Sequence, residues 1–228
     1  METDLEKLLD LSGLASDKEV KNRFEQLATV LFQNHHIQKG DIRYDFLEIE
    51  FYYYSREHRD IVTYPRTANV GEWFFHMSGV DITFKSKSEY RKEPSSKVAE
   101  GDFFGGILIR SLLRHEKGIS KIITGPYNCM DDLFDKFNAL DTPQNFPCVV
   151  LNEATDVNVL KTTRWIPSFN TNNAEEKKKR CEIIKDRYSD NTNGDEYLKD
   201  NFISKKYRYY KGGMGEEIKS SYKASPWK

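Results

Sequence analysis

The chain has 228 residues and is short of several things, each of which narrows what it can be. It has three cysteines, Cys129, Cys148 and Cys181, odd in number and widely spaced. They show no metal-type spacing, which argues against a structural zinc and suits a reducing cytoplasm, the expected compartment. No apolar run approaches membrane-spanning length, so no membrane partner is expected. The opening METDLEKLLDLSGL carries acids early and no basic stretch, so no signal peptide is expected either. HExxH, CxxC, P-loop and GxGxxG motifs are all absent, which leaves metal and nucleotide-triphosphate chemistries little support; no metal and no cofactor are predicted. Ser78 has no nucleophile-elbow context. Charge of one sign is also lacking, with a net −1 that hides an asymmetry. Residues 161–228 hold 16 Lys and Arg against 10 Asp and Glu, while residues 1–160 hold 19 against 26. A basic C-terminal third suits a polyanion or a solvated helix face.

What the chain does have is 13% aromatic and 31% charged residues, the composition of a folded, aromatic-rich protein able to bury a sizeable core. Apolar residues Val20, Phe24, Leu27, Val30 and Leu31 recur at helical spacing, predicting a helix over 17–34 capped by Ser16 or Asp17. A shorter helix is expected within 3–14. Strands are predicted at 45–54, at 71–79 with 80–84, and at 105–113, with a further strand or helix-linking run at 147–154. Residues 85–102 read as an exposed loop, 173–188 as a charged helix, 189–196 as a turn and 203–213 as a basic, aromatic strand. With no repeat and no linker, the economical reading is one α+β domain over 1–228, with 1–16 as an N-terminal extension and 213–228 as a flexible tail.

Three features could carry chemistry. In FLEIEFYYYSREH (46–58), alternation puts Glu48, Glu50, Tyr52 and Tyr54 on one face and Leu47, Ile49, Phe51 and Tyr53 on the other. That is a wet edge strand, or an acid lining a cleft as a general base beside an aromatic wall. Arg110, in the middle of GGILIRSLL, is costly to bury without an anion, so it pairs with Glu48 or Glu50 or clamps a phosphate or water. In KKYRYYKG (205–212), Lys206, Arg208 and Lys211 alternate with tyrosines, as a nucleic-acid strand would have them or as a two-faced strand has them. Among the histidines, His58 could stack or donate, His76 reads as a satisfied strand residue, and His35, His36 and His115 read as surface residues.

Taken in order, these pieces resemble the alkylpurine (3-methyladenine) DNA glycosylases. LATVLFQ (27–33) is similar to that family's A-x-x-L-L-G helix end. YDFLEIEFY (44–52) with His58 resembles its R-I-V-E-x-E-A-Y strand and following histidine. RTAN (66–69) and WFFHMSG (73–79) are looser counterparts of R-T-x-R-N and Y-V-Y-x-x-Y-G. GGILIRSLL resembles A-V-L-L-R-A-L, TGPYN (124–128) a G-P segment, and KYRYYKG (206–212) the closing L-R-F-Y-V-R-G.

The resemblance implies a curved, mostly antiparallel sheet with flanking helices, and a monomer that binds DNA and flips a base into an aromatic pocket. Glu50 would activate water for attack at C1′, Arg110 would hold that water or a phosphate, and Tyr52, His58, Phe75 and Ser78 would line the base pocket. Met77, Lys206, Arg208 and Lys211 would meet the nucleic acid, and Glu48 would be structural. The pattern departs where the family carries a wedge tyrosine before glycine, since Ser78 stands there, and Lys85 stands near the place of a family asparagine. The expected activity is monofunctional excision of a damaged or modified base. The alternatives are a non-catalytic nucleic-acid-binding module of the same fold and an N-glycosidase acting on free nucleosides.

Overall fold

The computed structural model describes residues 4–93, 96–135, 145–166, 172–188 and 199–214. Its centre is set by two strands of equal length, β2 (Ile42–Tyr54) and β5 (Phe104–Glu116), antiparallel over nearly their whole course. Each is too long for one neighbour per edge. On the far edge of β5, β4 (Gly79–Thr83) pairs with the first half and β6 (Ile119–Thr124) with the second. On the far edge of β2, β1 (His35–Lys39) pairs near the start and β9 (Arg208–Lys211) further along. β3 (Trp73–His76), β7 (Cys148–Leu151) and β8 (Val159–Thr162) extend these edges. The result is a single α+β domain built on a curled antiparallel half-barrel, with nine strands among the described residues. No helix among the described residues is long and apolar enough to cross a membrane.

One face of the sheet is covered by α1 (Leu5–Leu9) and α2 (Asp17–Asn34), whose Phe24, Leu27 and Leu31 are fully buried. α2 runs over the predicted range, and Ser16 caps it by accepting from the Glu19 amide at 3.3 Å while Glu19 accepts from the Ala15 amide at 2.7 Å. Phe24 stacks on Phe51 with ring centroids 4.7 Å apart and meets Tyr207 edge-on at 5.2 Å. The other side carries a smaller cluster in which Tyr54, Val62 and Phe104 pack with Ile184 and Tyr188 of α4 (Ala174–Tyr188). α3 (Pro126–Phe134) lies across the β3–β4 hairpin end, where a Cβ on Gly79 would come within 2.7 Å of Pro126.

Several expectations need correction. Residues 4–16 are not an extension, because Leu8, Leu9 and Leu11 are core residues. His35 and His36 are buried in β1, a strand the sequence pattern did not reveal, rather than exposed. The 147–154 run is a strand, and the last strand is shorter than 203–213. The predicted turn at 189–196 and most of the expected tail at 213–228 lie outside the described residues.

Paired glycines open β5 for a steric reason. A Cβ on Gly105 would sit 2.1 Å from the Tyr52 carbonyl oxygen, a backbone atom that cannot turn aside. Gly105→Ala is therefore expected to push β2 and β5 apart and lower stability by about 1–3 kcal/mol or more, read as a fall in the urea midpoint.

Candidate functional site

A β-bulge decides where the two acids go. The β2–β5 register shifts between Phe46 and Glu48 and again between Glu48 and Ile49. Before the bulge, Tyr44 and Phe46 face the main core; after it, Ile49, Phe51 and Tyr53 do. Glu48, Glu50 and Tyr52 consequently share the opposite face.

Neither acid is wet. Glu48 and Glu50 are fully buried with Arg110 and Arg208, so two carboxylates meet two guanidiniums in a closed, neutral quartet. Glu48 accepts from Arg208 and, at 2.8 Å, from the Ser111 hydroxyl, while Arg110 Nε stands 3.7 Å from it. Glu50 Oε2 accepts from the Tyr52 hydroxyl at 2.7 Å and from Arg110 Nη1 at 3.0 Å. Glu50 Oε1 accepts from the Trp165 amide at 2.8 Å, with Arg208 Nε at 3.8 Å. Burial and the neighbouring Glu50 charge push the Tyr52 phenol well above its ordinary range, so it stays protonated and donates.

Above this quartet lies a cleft of about 600 Å³. Tyr52 and Arg110 form part of its floor, and Tyr64, Tyr127 and Trp165 give it an aromatic lining. Arg66, His76 and Asp81 make a hydrogen-bonded polar wall, and Glu176 and Arg180 of α4 also line the cleft. The Arg164 guanidinium backs the Tyr52 ring at 4.8 Å and is itself clamped by Asp60 at 2.6 and 2.9 Å. That bidentate pair is fully buried and ties the segment after β8 to the loop after β2. The cleft thus joins flat apolar faces to hydrogen-bonding groups, the combination that holds a planar heteroaromatic ring.

The predicted site residues separate. Glu50, Arg110, Tyr52 and Ser78 come together at or directly beneath the cleft. Met77 stands on its rim, 99% exposed at the β3–β4 turn. His58 does not join them: its Nδ1 bonds Asp17 at 2.7 Å and its ring lies among Phe24, Tyr53 and Tyr207 on the α2 side. One residue per strand step reverses the face, and Phe75 likewise turns away from the cleft to pack on Phe134 at 4.7 Å. Arg208 is wholly buried against Glu48, so it has no surface to offer a phosphate. Tyr207 and Tyr209 beside it are core residues, so the basic, aromatic strand is a two-faced strand. Lys206 is exposed and Lys211 half-buried, and neither lines the cleft.

No protein-family model matches the chain. No solved structure matches it either. A curated relative, "Uncharacterized protein L759" of Acanthamoeba polyphaga mimivirus, is 29% identical over 129 residues, which is 50% of this chain. The matched stretch spans 57% of that protein's length.

Sequence reasoning missed Arg66, Asp81, Arg164 and Trp165, and it set His76 aside as structural. The signal for Asp81 was present, since an acid inside the apolar run VDITF is the same anomaly that singled out Glu48 and Glu50. Arg164 and Trp165 belong to a segment without periodicity, and contacts distant in the chain, such as those with Asp60 and Glu50, give them a role.

Proposed function

We propose that the chain is a monofunctional N-glycosyl hydrolase that excises a damaged or modified base from DNA, in an alkylpurine-DNA-glycosylase-like fold. One observation carries the reading: Tyr52 and Arg110, which both line an aromatic cleft, converge on the same oxygen of buried Glu50. A base held among Tyr52, Tyr64 and Trp165 would bring its C1′ over that convergence. Water seated against Tyr52 and Arg110 adds its oxygen to C1′ as the C–N bond breaks and its electron pair leaves with the base. The proton of that water passes to the Tyr52 oxygen while Tyr52 passes its own to Glu50, so the carboxylate acts through the phenol. Positive charge developing on the sugar is stabilised by Glu50 at short range in a dry site. Met77 on the rim supplies an apolar side chain of the kind that enters a gap in stacked bases.

A second reading has an observation of its own. Both oxygens of Glu50 are already occupied by buried donors, as they would be in a non-catalytic module that only holds a base. Oligonucleotides, single- and double-stranded, carrying 3-methyladenine, hypoxanthine, ethenoadenine or bulky modified pyrimidines separate the two, with free nucleosides run alongside. Wild type is expected to leave abasic sites in at least one oligonucleotide, and Tyr52→Phe to slow that release by about 100-fold. Salt-sensitive binding with no base released from any substrate would sink the catalytic reading and favour the module.

A further inference from the structure

His76 is the feature that neither the quartet nor the proposed water attack uses. It sits at the end of β3 on the cleft wall, half-hidden, with its ring 6.4 Å from that of Tyr64. Its Nε2 is held by Asp81 at 3.0 Å, and Asp81 is in turn held by Arg66 Nη1 at 2.6 Å. Asp81 and Arg66 are both buried, and Arg66 is fixed from behind by the Phe74 ring 3.9 Å away. Burial pushes the Asp81 carboxyl up, but the Arg66 charge and the His76 bond outweigh it and hold the group below the usual carboxylate range. A carboxylate on one ring nitrogen fixes the imidazole's orientation and tautomer.

The other ring nitrogen faces the turn at the cleft's rim. His76 Nδ1 accepts the Ser78 amide at 3.3 Å, and Ser78 lines the cleft. When the ring carries a second proton, Nδ1–H and the Ser78 N–H become two donors side by side with no acceptor between them. A lone pair on a bound ring nitrogen would fill that place. Once the proton has moved to it, Nδ1 regains the Ser78 amide. The Ser78 N–H thus meets Nδ1 after transfer, while Asp81 holds the ring in one orientation throughout. The titratable and charged groups that line the cleft with the ring are Asp81 and Arg66, which hold it, Tyr64 beside it, Tyr52 and Arg110 from the floor, Tyr127, and Glu176 and Arg180 from α4. Guanidiniums do not release protons and Asp81 is committed to Arg66, so on this wall of the cleft the imidazole is the group able to deliver one.

We propose that His76, oriented by Asp81, is the proton donor to the departing base. The proposal rests on the N-glycosyl reading above and completes its balance. As the C–N bond breaks, the electron pair goes onto the base, and the Nδ1 proton of His76 goes to a ring nitrogen of that base. His76 is left neutral and reprotonates from solvent. The substrates that need this are neutral bases, because a base already cationic through alkylation departs without a proton.

The test compares hypoxanthine, neutral, with 7-methylguanine, cationic, in otherwise identical oligonucleotides, using wild type and His76→Gln. Glutamine keeps a donor for Asp81, and equal melting temperatures check that the wall is intact. Expected is a loss of about 100-fold on hypoxanthine with 7-methylguanine release changed by no more than a few-fold. Equal losses on both bases, no loss on either, or release of the cationic base alone would overturn the assignment of His76 and leave the water attack standing. Release of neither base by wild type overturns the assignment and, for these substrates, the reading beneath it.

Discussion

Replacing Arg208 with methionine is expected to lower stability by about 3–5 kcal/mol, more than the loss of any hydrogen bond around the quartet. The cost comes from what is left behind. Glu48 would keep the Ser111 hydroxyl and a guanidinium at 3.7 Å, and Glu50 would still claim the near end of Arg110. Two fully buried carboxylates would then share one cation, away from bulk solvent. For a domain stable by about 5–15 kcal/mol this is a large fraction, read as a fall in the urea midpoint with an unchanged slope. The double variant Glu48→Met with Arg208→Met should recover most of the loss, because it removes the pair rather than one partner. A loss below about 1 kcal/mol for Arg208→Met would mean that the quartet is not buried as described. An Arg208 serving as a phosphate contact would instead leave stability alone and flatten the salt dependence of DNA binding.

Glu50→Gln is expected to reduce base release by about 10²–10⁴-fold, the usual contribution of a positioned proton acceptor. The amide conserves shape and can still accept from the Trp165 amide through its oxygen. Its nitrogen would then lie where Oε2 now accepts from both Tyr52 and Arg110, turning two hydrogen bonds into opposed donors. Tyr52 can rotate its hydroxyl, but Arg110 cannot withdraw its proton, so stability should fall as well. Comparing Glu50→Gln with Tyr52→Phe separates these effects. Tyr52→Phe removes one hydrogen bond, about 1 kcal/mol, and leaves the quartet's charge intact. If base release survives Tyr52→Phe but not Glu50→Gln, the proton reaches the carboxylate without the phenol. If it survives both, Glu50 belongs to the fold alone.

Much of this was legible in the sequence because it depends on local periodicity and on chemical cost. The α2 helix needed only apolar spacing and a capping serine, both of which act within a turn or two. The meeting of Arg110 with Glu48 and Glu50 needed only the rule that a charge inside an apolar strand must find its opposite. The same rule applied to Arg208 and Asp81 would have put them in the interior. Basic and aromatic composition was a poorer guide to Arg208, because alternation along a strand says that two faces differ and not which one meets water.

The amino-acid sequence by itself determined a single α+β domain, its long central strands, and a buried encounter between acids and arginines. Tertiary structure decided the rest. The bulge at Glu48 reverses which side chains of β2 face the core, and a one-residue offset of that kind leaves no mark on the hydrophobic pattern at either end. Closure of the half-barrel then brings Arg208 onto Glu48 from 160 positions away and the Trp165 amide onto Glu50 from 115. It also parts His58 from Tyr52, its near neighbour in the chain, and seats His76 in the cleft in its stead. Distance along the chain carries no information about such meetings, since they are fixed only when the sheet curls and its edges find their partners.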